Sequence, residues 1–260
     1  MRDVTRRQLL GPIAAAAGAC ALSSCWSGKT GPYADRERRP ESPWAYAQLD
    51  PDVTAEKAYR DYQKGHCMYG VFAGLVSQLA ERYGEPYQSF PFGMMAYGAA
   101  GAGGWGSLCG ALNGGGAAIG LFVAGEPQRT LLIDELFLWY ETAELPAHVP
   151  ESPILEMEMP RSTAGLVLCH VSITNWCKAS GYKAAGKQQK ERCRRLTADT
   201  ARKTAEILNR NLAGQSFAAA DFSEDVCGCK ACHTKGSEME NSKGKMSRGS
   251  CHFSLAGEHP

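Results

Sequence analysis

The chain has 260 residues, 44% of them hydrophobic and 21% charged, with a formal net charge of +1. That balance excludes a basic nucleic-acid footprint and a disordered polyelectrolyte, and the length suffices for one large domain with a buried core. Eleven cysteines are the compositional anomaly.

Thr5-Arg6-Arg7-Gln8-Leu9-Leu10 is a twin-arginine motif that opens an apolar run from Gly11 to Leu22. The run falls short of the ~20 apolar residues a membrane span needs, so residues 1–25 read as an export signal. Leu22-Ser23-Ser24-Cys25 resembles the lipobox of bacterial lipoproteins, with ordinary cleavage between Ala19 and Ser24 as the alternative. The expectation is export by the twin-arginine route to the periplasm or an extracytoplasmic membrane face, attached there through lipidated Cys25. Once Cys20 leaves with the signal and Cys25 takes lipid, Cys67, Cys109, Cys169, Cys177, Cys193, Cys227, Cys229, Cys232 and Cys251 remain. Their number is odd, so paired disulfides cannot absorb them all.

Residues 26–52, with Pro32, Pro40, Pro43 and Pro51 and the charge run Asp35-Arg36-Glu37-Arg38-Arg39, read as a tether. Asp52 or Thr54 then caps a helix to about Tyr83, because Tyr59, Tyr62, Val71, Phe72, Leu75, Val76 and Leu79 recur at helical spacing and Gly84 stops it. From Pro91 to Gly125 there is no charge and much glycine, which predicts one or two closely packed helices. The literal GxGxxG at Gly101 to Gly106 follows no good strand, so it reads as packing and not as a dinucleotide loop. Residues 129–145 fit a helix or a strand, and their length favours a helix, ended by Pro146. Ser162 or Thr163 is expected to cap a helix through Cys169, His170 and Cys177, and Lys190 to Leu212 predicts a long helix.

Beyond Gly214 periodicity is lost, and this tail holds Cys229-Lys230-Ala231-Cys232-His233. CxxCH is the spacing by which two thiols reach the vinyl groups on one porphyrin edge while the next imidazole turns under the iron as axial ligand. Met246-Ser247-Arg248-Gly249-Ser250-Cys251-His252 has Arg248 where a second CxxCH would need cysteine. Cys251 could make a single thioether above His252, giving a second haem c, or the pair could be ordinary tail residues. For the sixth iron ligands His66, His148, His170 and His259 remain; His170 is the first choice and His66 the next. Two imidazoles saturate an iron, which favours electron transfer over catalysis at the haem.

The other cysteines carry a resemblance across residues 53–260. Gly65-His66-Cys67-Met68-Tyr69-Gly70, Cys109-Gly110-Ala111-Leu112-Asn113-Gly114, Cys177, and Arg192-Cys193-Arg194-Arg195-Leu196-Thr197 look like the redox family named for its C, GCAxxG, C, C pattern. With the haem tail, the chain resembles the split-Soret cytochromes c. The resemblance implies a mainly α homodimer with its haems close together at one end, an iron–sulfur cluster in each subunit, and an electron-transfer role. It also divides residues 53–213, a helical domain of that type, from 214–260, an irregular haem-binding tail.

Four thiolates from separate helices suit an iron–sulfur cluster, since soft sulfur ligands match iron; a two-iron cluster is expected. The expected ligands are Cys67, Cys109, Cys177 and Cys193, with Cys169 competing for the third position about two helical turns from Cys177. Buried inert cysteines, disulfides or zinc are the alternatives, although paired CxxC spacing is absent among these four. The leading expectation is an exported multi-centre c-type cytochrome, an electron carrier and not an enzyme. It would pass electrons between its iron–sulfur cluster, its haem c and an unidentified redox protein. The alternative is a haem- or cluster-dependent reductase of a small substrate, and a colourless metal-storage lipoprotein is a third class. No nucleic-acid partner is expected.

Overall fold

The computed structural model describes residues 42–241 and 244–247. The export signal, Cys25, most of the expected tether, Arg248, Cys251, His252 and His259 lie outside the described residues.

Helix α1 (Pro51–Tyr83) begins at an Asp50 cap, whose carboxylate accepts from the amides of Asp52 and Val53 at 2.8 and 3.2 Å. Pro51 suits the first helical position, where no amide donor is required. Helical geometry stops at Gly65 (φ −168°, ψ 23°) and His66 (φ 64°, ψ −156°) and resumes at Cys67. There the chain reverses. Gln78 Nε2 donates to Thr54 Oγ1 at 2.8 Å, and Lys57 pairs with Glu81 at 2.6 Å, each across 24 positions. A straight helix would hold such pairs ~36 Å apart. Helix α1 is therefore a hairpin of two antiparallel arms, and this corrects the expected continuous helix. The arms approach at Gly74, where a Cβ would lie 2.9 Å from that of Ala58.

Residues 42–50 belong to this body and not to a tether: Trp44 and Leu49 are buried, and Asn209 Nδ2 donates to the Leu49 carbonyl at 2.8 Å. The charge-free segment forms a 3-10 helix (Phe92–Gly98), a glycine-rich loop, and α2 (Gly110–Phe122). The GxGxxG thus follows a 3-10 helix, which is not the strand a dinucleotide site needs. Helix α3 (Glu126–Thr142) leads to a two-residue strand, β1 (Glu144–Leu145), which pairs antiparallel with β2 (Ser162–Thr163). Ser162 and Thr163, expected as a helix cap, are thus strand residues. Gly165, at φ 72°, separates them from α4 (Cys169–Ser180).

Helix α5 (Lys187–Leu212) packs most extensively on α1, and α2 is the next layer against α1. Leu75, Leu79, Leu112, Ile119, Leu132, Leu136, Leu196 and Leu208 fill the shared core. Burying one such leucine contributes about 1.5–3 kcal/mol. The tail is more regular than its composition suggests: α6 (Glu224–His233) carries the CxxCH. Glu224 and Asp225 in its first turn and Lys230 near its end complement the helix dipole. No helix among the described residues is long and apolar enough to cross a membrane. The fold is mainly α.

Candidate metal centre

Three cysteines stand at helix starts. Cys67 begins the second arm of α1, Cys109 is the residue preceding α2, and Cys169 is the first residue of α4. Amide donors at helix N-termini favour negative charge, so each position suits a thiolate. Two of the starts are joined by an isolated antiparallel bridge, Leu108 to Leu168. The Cys109 amide donates to the Val167 carbonyl at 2.8 Å and the Cys169 amide to the Ser107 carbonyl at 2.7 Å. Gly110 brings Cys67 in: a Cβ there would collide with the Gly98 carbonyl and lie 3.2 Å from Cys67 Cβ.

Cys193 completes the group from the second turn of α5 and shares a hydrogen bond with Cys67. All four side chains are buried, at 6% or less exposed. The Cys67 to Cys193 hydrogen bond raises the Cys67 thiol well above its ordinary value and pulls Cys193 down to about 6 against the opposing effect of burial. Arg192 and Gln189 support the lowered Cys193: Gln189 Nε2 donates to its sulfur at 2.9 Å, and Arg192 Nη1 lies 3.9 Å away. Burial pushes the Cys109 thiol up and Cys169 to about 12, and Cys109 and Cys193 add to the shift at Cys169.

Arg192 is 1% exposed. Its Nη2 donates to Ser172 Oγ at 2.7 Å, its Nη1 faces Cys193, and its Nε is buried without a hydrogen-bond partner. None of those contacts is a carboxylate, so the neighbouring sulfurs are the anions available to this buried cation. A fully buried unpaired charge costs several kcal/mol, and the lowered Cys193 thiol beside Arg192 offsets part of that cost.

The interacting set therefore contains Cys169 at the position where the sequence favoured Cys177. Cys177 is half-buried, eight residues further along α4, or ~12 Å of helix rise. Among the described residues no three His, Cys, Asp or Glu side chains gather around a single-ion site. His170 is exposed beside Cys169, and its Nδ1 lies 2.9 Å from the Gly106 carbonyl, which fixes the tautomer and leaves Nε2 with a lone pair. His66 is exposed beside Cys67, edge-on to Tyr62 at 5.4 Å. His148 is buried, 3.1 Å from Glu56, and burial lowers its pKa.

On α6, Cys229 and Cys232 are exposed and one turn apart, and His233 follows on the same side. His233 Nδ1 lies 2.6 Å from Asn241 Oδ1, a contact that holds the ring on the tail. The tail meets the body at a cavity of about 370 Å³ between α3 residues Ile133, Phe137, Leu138 and Glu141 and tail residues Phe222 and Met246. Lys245 closes it with an ion pair to Asp134 at 2.5 Å. Sequence reasoning missed Arg192, Ser172, Tyr140 and Gln189; only Arg192, beside Cys193, carried a visible signal.

Residues 67–207 match the family model described as "Putative redox-active protein (C_GCAxxG_C_C)". In this chain Gly110 is interposed between Cys109 and Ala111 of the named motif, where the close approach to Gly98 demands it. The split-Soret cytochrome c of Desulfovibrio desulfuricans is 39% identical over 220 residues, covering 82% of this chain and 78% of the relative. A solved structure described as a novel iron centre in the split-Soret cytochrome c from that species superposes with a TM-score of 0.77. It is 36% identical, and the match covers 84% of this chain and 93% of that one. The chain belongs to the C_GCAxxG_C_C family of redox-active proteins, within which it is a homologue of split-Soret cytochrome c.

Proposed function

We propose that the chain is an exported c-type cytochrome that carries electrons between an iron–sulfur cluster, haem c and a redox protein. The observation that carries the reading is the meeting of four buried cysteines from separate segments around a buried guanidinium with no carboxylate. Cys67, Cys109, Cys169 and Cys193 would hold the cluster, whose iron supplies one-electron redox chemistry. A cluster asks less of sulfur spacing than a single ion does, because its ligands bind different irons. Cys229 and Cys232 would hold haem c with His233 beneath its iron, and His170, anchored through Nδ1, is the favoured sixth ligand ahead of His66. Cys251 and His252 would hold a second haem. Arg6 and Arg7 support twin-arginine export to the periplasm, Cys25 supports lipid attachment, and the chain would act as a homodimer.

Pyridine haemochrome, iron and acid-labile sulfide on the purified protein test the reading together. Non-haem iron with matching sulfide, beside one or two haems per chain, is the expected result; haem iron alone would remove the cluster. A dithiol–disulfide couple is the second reading, favoured by the Cys67 to Cys193 hydrogen bond. It requires iron-free protein that loses two titratable thiols on oxidation.

A further inference from the structure

The cavity of about 370 Å³ between α3 and the tail is large enough for a small ring compound and takes no part in the metal centre. Four of its lining residues, Asp134, Phe137, Leu138 and Glu141, stand at positions i, i+3, i+4 and i+7 of α3, so they share one helix face. A carboxylate therefore stands at each end of an apolar floor, the two positions ~10.5 Å apart by helix rise. Glu141 is half-buried, and burial raises its carboxyl above the usual range. Asp134 gives one oxygen to Lys245 at 2.5 Å, which leaves the other to accept. Phe222 lines the cavity from the tail and also meets the haem-attachment helix: Lys230 Nζ, between Cys229 and Cys232, lies 4.4 Å from its ring centroid.

An apolar ligand would bury the Glu141 carboxyl without a partner, at a cost in free energy. An anionic ligand, haem propionates included, would meet Asp134 and Glu141 with like charge. A flat ring with a hydroxyl donor at each end satisfies both carboxylates, since a para-hydroquinone spans about 11 Å once hydrogen bonds of ~2.8 Å extend from its two oxygens. We propose that this cavity binds a para-hydroquinone, whose hydroxyls donate to Asp134 and Glu141 and whose ring packs against Phe137 and Phe222, and that the hydroquinone is the chain's electron donor. The proposal rests on the cytochrome reading above for its electron acceptors. Oxidation to the quinone breaks two O–H bonds and releases two protons and two electrons. The protons pass to Asp134 and Glu141 and on to solvent. The electrons leave singly to two one-electron acceptors, ferric haem c and the oxidised iron–sulfur cluster.

The test uses the full-length holoprotein and menadiol, a para-naphthohydroquinone, under argon. Calorimetric titration of the dithionite-reduced protein, which accepts no further electrons, reads binding alone. Wild type should bind menadiol, Glu141→Leu should bind it about tenfold more weakly, and Leu138→Trp, which fills the cavity, should not bind it. Stopped-flow mixing of menadiol with oxidised protein should then reduce the haem at a rate that saturates with menadiol concentration. Glu141→Gln, which keeps shape and an acceptor but takes no proton, should bind as wild type does and reduce its haem about 100-fold more slowly. No binding to wild type, or equal affinity in wild type, Glu141→Leu and Leu138→Trp, would overturn the proposal. Haem reduction that rises linearly with menadiol and is equally fast in Glu141→Gln would overturn it as well. Wild type that binds menadiol but carries no haem would instead overturn the cytochrome reading beneath it.

Discussion

Cys169→Ala and Cys177→Ala separate two readings of α4 that the sequence leaves open. Both cysteines lie on one 12-residue helix, Cys169 buried and Cys177 half-buried. Eight residues move the chain ~12 Å along the axis and ~80° around it. Two sulfurs bound to one metal at ~2.3 Å lie no more than ~4.6 Å apart. Cys169 interacts with Cys109 and Cys193, so Cys177 is a full two turns out of place unless α4 unwinds. A change beside a ligand costs about 10–100-fold in metal affinity, and loss of a ligand costs at least the upper figure. At metal levels that fill about 90% of wild type, a 100-fold loss leaves occupancy near 10%. Cys169→Ala should therefore purify with about a tenth of the wild-type non-haem iron, whereas Cys177→Ala should retain nearly all of it. Plasma emission spectrometry for iron, after subtracting haem iron by pyridine haemochrome, gives both numbers. Full iron in Cys169→Ala with loss in Cys177→Ala would refute the placement.

Gly110→Ala forces a methyl against the Gly98 carbonyl and Cys67 Cβ, so urea denaturation should show a loss of about 1–3 kcal/mol and iron content should fall. Equal stability would mean that the α2 start tolerates displacement. Asp199, 5% exposed, has its carboxyl raised by burial from 3.8 to about 6 despite accepting from the Ala147 amide at 2.8 Å. Because its folded pKa is raised, its favourable contribution is complete below the unfolded value and is lost as pH rises through about 6. Asp199→Asn keeps an acceptor and removes that loss, so its stability relative to wild type should rise by about 2 kcal/mol between pH 4 and pH 7. His148, whose pKa burial lowers, opposes this trend in both proteins and cancels in the difference. A flat difference would show that Asp199 ionises without cost. His170→Ala should convert a ferric low-spin spectrum partly to high-spin and let CO shift the reduced Soret band; an unchanged spectrum would remove His170 from the iron.

The helices were legible where period and caps agreed. α5 follows its apolar spacing, whereas α3, expected from its length to run to Pro146, ends at Thr142 with Glu144 and Leu145 in β1. The hairpin in α1 was not legible, because its turn is carried by His66 in a left-handed conformation that only the packed arms stabilise. Gly74 marked the close approach, but a glycine inside apolar periodicity does not say which segment comes near. Cys67, Cys109 and Cys193 could be named from the sequence, yet Cys177 was favoured over Cys169. Their order depends on the Leu108 to Leu168 bridge, a contact between segments 60 positions apart. Ser172 and Tyr140 were invisible for the same reason, since each acquires its meaning from a partner on another helix. The CxxCH needed no tertiary information, because its spacing is set by the porphyrin.

Mössbauer spectroscopy of protein grown on ⁵⁷Fe tests the central claim most directly, because it separates iron held by cysteine from iron held in haem in one sample. The account expects a diamagnetic signal of tetrahedral sulfur-ligated ferric iron beside the low-spin haem signal, with the former lost in Cys193→Ala. Haem signals alone in fully loaded wild type would contradict it.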